Sequence, residues 1–292
     1  MAVKVTIVIP ARNAEKTIAK TIVAIQENTY LPEQIIVVDG CSSDRTKDIC
    51  LSFGVEVISN SKLHAASARN LGIENSKFPI VAFTDADCIP AKDWVERIVH
   101  QFESNPELDG VGGPVTLSAP KNQIEAFSAS VFESIKSFSE DPVRITVKGV
   151  GGRSFAGANC AFSKSRVTSI GGFRDQFSNF GEEVDLLWRM VDAGSFLIFD
   201  PMICVEHMGY SDTIIKLIHT SYRNGIASTL LTKYHKRSPR IDSILYKKWF
   251  LSLLSTINPW RKDRCSHLLL LELSVFISAK WITSIKERTI NL

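Results

Sequence analysis

Val81–Pro90, VAFTDADCIP, is the stretch on which the reading of the fold turns. The apolar run Ile80–Phe83 predicts a buried strand, and Pro90 is expected to stop it from continuing. Asp85 and Asp87 then stand at the strand's carboxyl end, where open α/β sheets bind their ligands. Asp is costly inside a strand, and its short side chain can hold a hard cation close to the backbone. Two such carboxylates suit Mg²⁺ or Mn²⁺, with substrate phosphates completing the ion's shell.

Outward from this motif, strands and helices alternate. Val3–Ile9 is a β-branched run closed by Pro10. In Ala14–Asn28, Ile18, Ile22 and Ile25 have helical spacing, with Asn13 placed as N-cap. Gln34–Val38 predicts a second strand ending at Asp39, followed by a turn through Gly40–Asp44 and a helix over Arg45–Phe53. Val55–Ile58 is a third strand, Ala65–Ile73 a helix, and Lys92–Phe102 a helix behind the two aspartates. This alternation predicts a mostly parallel, doubly wound sheet. Right-handed crossovers bring the ends of strands one, two and four to one edge, which gathers Pro10–Glu15, Asp39, Asp85 and Asp87 around a crevice.

Beyond Asp109 the expected elements are a strand over Val111–Leu117, a helix over Gln123–Phe138 and a Gly-rich mobile loop over Val143–Ser154. A strand over Phe155–Ser163 and a turn at Gly171–Arg174 follow, then Phe180–Arg189 opens a helix running to about Ala193, and strands cover Phe196–Phe199 and Met202–Glu206. From Thr213 the chain reads as helical and basic, with apolar helices over Tyr246–Ile257 and His267–Ile285. The expected division is a catalytic domain over 1–210, split into a nucleotide-binding half (1–110) and an acceptor-side half (111–210). Behind it, 211–292 forms a basic, amphipathic helical extension.

The net charge of +3 is unevenly placed: Val205–Leu292 carries 14 Lys/Arg against 6 Asp/Glu, and Met1–Cys204 carries 20 against 25. A basic tail behind an acidic body suits an anionic partner such as a membrane surface or nucleic acid. A solvated helix face, or a homodimer interface, is the alternative. Six cysteines without C-x-x-C or zinc spacing read as reduced thiols of a cytoplasmic protein. The opening MAVKVTIVIPARN reads as a strand and not as a signal peptide. No stretch reaches the ~20 uninterrupted apolar residues of a spanning helix, because Leu268–Ile285 is broken by Glu272 and Lys280. A soluble protein, or one peripheral on the cytoplasmic face of a membrane, is therefore expected.

The crevice suits a nucleotide. Asp39 can accept a base N–H, and Arg12 and Arg69 can pair with phosphate or stack. G-x-G-x-x-G is absent after the first strand, and so is a P-loop signature. Glu182, Glu183 and Asp185 complement a helix dipole, but three carboxylates in four positions exceed that need, and one of them can act as general base. His207, directly behind a strand, is a candidate further metal ligand.

With these residues in place the chain resembles a family 2 glycosyltransferase of the GT-A fold, over roughly Val3–Tyr210. VIPARNAEKTI is similar to the family's opening strand and nucleotide loop, IIVVDGCSSDRT to its base-binding turn, and ASARNLGI to its arginine segment. FTDADCIP is similar to the metal motif, GANCAFS and GGFRD to acceptor-side turns, and GEEVDLLWRM to the catalytic acidic motif. The resemblance implies nucleotide contacts from the loop carrying Pro10, Arg12 and Glu15 and from Asp39, Arg69 and Asp85, and metal ligation by Asp87, with Asp85 and His207 as further candidate ligands. It also puts Glu183 at the base position. Arg12 stands where the family usually has an aromatic, and Glu183 where it usually has Asp. The implied activity is metal-assisted, inverting transfer of a sugar from a nucleotide-diphospho-sugar donor to a saccharide or lipid-linked acceptor, with Mg²⁺ or Mn²⁺ and no nucleic-acid partner. A catalytically silent sugar-nucleotide-binding or membrane-docking module on the same fold is the alternative. A nucleotidyltransferase ranks last, because no glycine-rich basic loop follows the first strand.

Overall fold

The computed structural model describes residues 3–135, 141–148, 155–177, 180–209, 211–236 and 266–287. The chain divides into two compact units. The first is Met1–Ser118, Ser137–Ser178 and Glu182–Gly209; the second is Ala119–Lys136, Asn179–Gly181 and Tyr210–Leu292. The residues around 119–136 thus group with the C-terminal helices and not with the sheet.

In the first unit β1 (Val5–Ala11), α1 (Ile18–Gln26), β2 (Gln34–Asp39), α2 (Thr46–Ser52), β3 (Glu56–Ser59), α3 (Ala65–Asn75) and β4 (Ile80–Phe83) alternate as expected. β1 runs parallel to both β2 and β4, with Ala11 opposite Asp39 and Val8 opposite Phe83. The expected convergence of strand ends is therefore present. These strands lack period-two alternation because both faces are covered; Val5, Ile7, Val8, Ile9, Val81 and Phe83 are fully buried. α1 turns Ile18, Ile22 and Ile25 to the core. Its N-cap is Thr17, not Asn13. Asn13 instead adopts a left-handed φ of 51° and accepts the Ser43 N–H at 2.9 Å, which ties the loop after β1 to the turn after β2.

Pro90 does not end strand structure as expected. After the Asp85–Asp87 turn the chain re-enters a short strand, β5 (Cys88–Pro90), followed by α4 (Trp94–Ser104). β5 lies at the edge of a second, three-stranded sheet, where a residue without an N–H is tolerated. The expected strand Val111–Leu117 is split by Gly113-Pro114. β6 (Gly110–Gly112) joins the large sheet, and β7 (Val115–Leu117) joins the small one. After α5 (Gln123–Ile135) of the second unit, Val143–Arg144 forms β8, pairing antiparallel with a later strand and so contributing an edge rather than only a loop. Residues 149–154 lie outside the described residues.

β9 (Cys160–Ser163) is shorter than Phe155–Ser163 and inserts antiparallel between β4 and β6. α6 (Lys164–Ser169), α7 (Glu182–Asp192), β10 (Leu197–Phe199) and β11 (Val205–His207) complete the unit. The large sheet runs β3-β2-β1-β4-β9-β6-β10-β8 and the small one β5-β11-β7. Asn159 holds the joint between them. Fully buried, it accepts the Trp94 indole N–H at 2.8 Å and donates to the carbonyls of Pro114 and Ile203 at 2.8 and 2.7 Å.

The second unit holds α8 (Ile214–His235) and α9 (Ser266–Lys286) beside α5. The Thr213 hydroxyl caps α8 by accepting the Lys216 N–H at 3.3 Å. α9 packs along α8, with Thr229 donating to the Lys280 carbonyl at 3.3 Å and Lys233 paired to Glu287 at 2.6 Å. The expectation for Leu268–Ile285 needs correction. His267–Lys286 is one helix long and apolar enough, by length and composition, to cross a membrane. Glu272 and Lys280 do not interrupt it, and Lys280 is buried. The expected helix Tyr246–Ile257 lies outside the described residues.

Candidate active site

The loop after β1 is fixed by a zipper of polar contacts. Backbone N–H groups of Asn13, Ala14 and Glu15 donate to Ser42 Oγ, Thr46 Oγ1 and Asp44 Oδ2 at 2.9, 2.7 and 3.1 Å. In return, Glu15 Oε2 accepts the Arg45 N–H at 3.2 Å. Glu15 is thus occupied in shaping the loop. Asp39 is buried and held by Ser42, which donates its hydroxyl to Oδ1 at 2.5 Å and its backbone N–H to Oδ2 at 3.1 Å. Two cavities open along this edge. One, of about 200 Å³, is bordered by Pro10, Arg12, Gly40, Asn60, His64 and Asp85. The other, of about 510 Å³, is bordered by Pro10, the loop from Arg12 to Thr17, Asp44, Asp87 and Gly209. Pro10 and the exposed Arg12 line both.

Arg69, expected against the nucleotide, is only 3% exposed. Its two terminal nitrogens are committed inside the protein, Nη1 to Glu182 Oε1 at 2.5 Å and Nη2 to Asp85 Oδ1 at 3.0 Å. The guanidinium lies 5.7 Å from the Phe173 ring centre, and a Cβ on Gly157 would come within 2.6 Å of Nη2, so it sits in a fitted cradle. Asn70, next in sequence, donates to the Phe173 carbonyl at 2.7 Å and accepts its N–H at 2.8 Å, which fixes that ring in place. One arginine therefore ties the Asp-x-Asp turn after β4 to the first turn of α7.

The acidic motif separates into three roles. Glu182 is taken up by Arg69. Asp185 is fully buried, with Arg174 Nη1 at 3.2 Å on Oδ1 and Arg189 Nε at 2.9 Å on Oδ2. Glu183 remains. Burial, and then the adjacent Glu182 charge, push its carboxyl up to about 8, against the opposing pull of Arg69.

For the cation, Asp87 and His207 face each other with Oδ1 and Nε2 3.4 Å apart. β11 brings them together by pairing antiparallel with β5, His207 opposite Cys88. Burial and the Asp85 charge raise the Asp87 carboxyl above its usual range, a repulsion that a bound cation relieves. Cys88 lies within reach of the same point, but burial pushes its thiol far upward, leaving a neutral group ill-suited to a hard cation. The carboxylate–imidazole pair fits Mg²⁺ or Mn²⁺. Asp85 Oδ1 is engaged by Arg69. Sequence reasoning did not single out Asn159, Gly157 or Gly209. Each lies within or beside a motif read for its neighbours, GANC or the stretch after His207.

Residues 6–164 match the profile described as glycosyl transferase family 2. Among characterised relatives, glycosyltransferase AglE of Haloferax volcanii is 30% identical over 67% of this chain and 64% of its own length. The pre-mycofactocin glycosyltransferase of Mycobacterium tuberculosis is 26% identical over 82% of this chain and 50% of its own. The chain thus spans between half and two thirds of these relatives. Among solved structures, the mannosyltransferase PcManGT of Pyrobaculum calidifontis, in complex with GDP-Man and Mn²⁺, superposes with a TM-score of 0.66 at 15% identity. That match covers 97% of this chain and 88% of the other, a likeness of fold. The sheet order, the Asp-x-Asp turn and the profile match agree: the chain belongs to glycosyltransferase family 2 and has the GT-A fold.

Proposed function

We propose that the chain transfers a sugar, with inversion and cation assistance, from a nucleotide-diphospho-sugar to a hydroxyl of a glycan or lipid-linked acceptor. The observation that carries this reading is Glu183. It is the one carboxylate of its motif not tied to an arginine in the described structure, and it is tuned to about 8, where a carboxylate is basic enough to act as general base. The nucleotide lies along the β1, β2 and β4 ends, with Asp39 accepting from the base and Arg12 against the base or diphosphate. Asp87 and His207 hold the cation, which when bound supplies charge neutralisation for the leaving diphosphate. Glu183 takes the acceptor's hydroxyl proton as that oxygen bonds to the anomeric carbon. The bond from that carbon to the diphosphate oxygen breaks on the opposite face, and its electron pair leaves with the nucleoside diphosphate. Arg69 does not touch the donor; it holds Asp85 and Glu182 in place on either side of the crevice. The exposed Trp281, Ile282 and Ile285 of α9, with the basic excess of the tail, support a membrane surface as the place where a lipid-linked acceptor is met.

The test is release of nucleoside diphosphate from a panel of nucleotide sugars in Mn²⁺, with and without acceptor glycans and lipid phosphates. Glu183→Gln should lose about 10²–10⁴-fold in turnover while still binding nucleoside diphosphate by calorimetry. A Glu183→Gln protein that turns over like the parent removes Glu183 from this role.

A further inference from the structure

The segment after β11 makes an unusually close approach to the aspartate–histidine pair. The Met208 N–H donates to the Asp87 carbonyl at 2.8 Å, and the Ser118 N–H donates to the His207 carbonyl at 3.2 Å, so the segment is stitched on both sides. Gly209 follows. A Cβ there would lie 2.8 Å from Asp87 Oδ2 and 3.0 Å from His207 Cε1, so both candidate ligand side chains would have to shift to admit it. The Gly209 peptide also faces the other ring nitrogen. Its N–H and its carbonyl oxygen each lie 3.0 Å from His207 Nδ1. Nδ1 can therefore accept from Gly209 N–H while Nε2–H points at Asp87. Equally, it can carry the proton, donate to the Gly209 carbonyl and leave the Nε2 lone pair bare.

We propose that Gly209 is a positioning residue of the cation site, its peptide serving either tautomer of His207 and its missing side chain leaving Asp87 and His207 room to close on one ion. This rests on the reading of Asp87 and His207 as cation ligands. A metal-bound histidine needs a partner at its distal nitrogen to fix tautomer and ring orientation, and loss of such partners weakens metal binding about 10–100-fold. Most such partners are only acceptors. The N–H of Gly209 adds a bond for the ion-free ring, so His207 is oriented before the cation arrives.

The experiment titrates Mn²⁺ alone, followed by water-proton relaxation, into the parent chain, Gly209→Ala, His207→Ala and the double variant, with thermal unfolding of each. Gly209→Ala should weaken Mn²⁺ binding about tenfold or more with little loss of thermal stability. The double variant should bind little worse than His207→Ala, because the two changes act on one interaction. Gly209→Ala binding Mn²⁺ as the parent does, or strictly additive losses, overturns the proposal. A parent chain that binds no Mn²⁺ overturns the cation reading beneath it as well. Should Gly209→Ala fail to fold, ¹⁵N spectra of the histidine-labelled parent decide. Zn²⁺, a diamagnetic probe, should move His207 from the Nε2–H to the Nδ1–H tautomer, and an unchanged tautomer overturns the proposal.

Discussion

Glu183 should make the protein less stable as pH rises, and replacing it should abolish that trend. Its carboxyl lies at about 8 in the fold, against an ordinary value of 4.5. Between those values the native state keeps a proton that the unfolded chain has released. Stability from this group is therefore full below about pH 4.5, falls as pH rises, and is lost above about 8. At 1.36 kcal/mol per unit the displacement sets a ceiling of about 4–5 kcal/mol. The side chain is half-buried, and solvent screening brings the expected effect to about 2 kcal/mol. Urea unfolding of parent and Glu183→Gln at pH 5, 7 and 9 measures it, since the difference between the two proteins cancels every other titrating group. The curves should nearly coincide at pH 5, with Glu183→Gln the more stable by about 2 kcal/mol at pH 9. A stability difference that does not change with pH would refute the assigned environment. The parent's kcat/KM should climb over the same interval, as the base becomes available.

Arg69→Ala should act as a folding lesion. It leaves Asp85 and Glu182 without their cation in a largely buried place, which costs about 3–5 kcal/mol, and a full loss of nucleotide affinity at unchanged melting temperature would contradict this. The chain should float with anionic liposomes at low salt and release at high salt, as ~1 kcal/mol per Lys or Arg near the surface requires. Retention in the soluble fraction under every condition would make the tail's charge a solvated face.

The first half of the fold was legible because buried parallel strands write themselves as β-branched and apolar runs, as in Val5–Ile9 and Ile80–Phe83. The second half was not, because its strands are only two to four residues long and pair across the chain. Val111–Leu117 is continuous in composition, yet it serves two sheets. The site was legible where spacing carries it, in Asp85-x-Asp87 and the acidic cluster. Sequence could not say which of three carboxylates is free, since the answer depends on arginines from elsewhere. Arg69 lies 113 residues before Glu182, and Arg174 and Arg189 flank Asp185 on either side. The same holds for Arg69: an arginine beside a predicted crevice reads as a phosphate ligand, and only the fold shows its carboxylate partners Asp85 and Glu182.

The charges around the crevice bear on why a cation belongs there. Asp39, Asp85, Asp87, Glu182 and Glu183 all gather at this edge, and Arg69 is already committed to two of them. The exposed Arg12 is the basic side chain shared by the borders of both cavities. A nucleotide diphosphate entering such a site meets like charge, and at 4 Å and an effective dielectric near 20 each unneutralised pair costs about 4 kcal/mol. Arg12, with Lys16 on the rim of the larger cavity, offsets only part of that. A divalent ion held by Asp87 and His207 would offset this repulsion, and its charge would favour the ionised form of the raised Asp87 carboxyl. The acidic lining, unfavourable for an anion alone, is favourable for the anion with its cation. On this reasoning nucleotide and cation should bind with mutual enhancement, each weakly without the other.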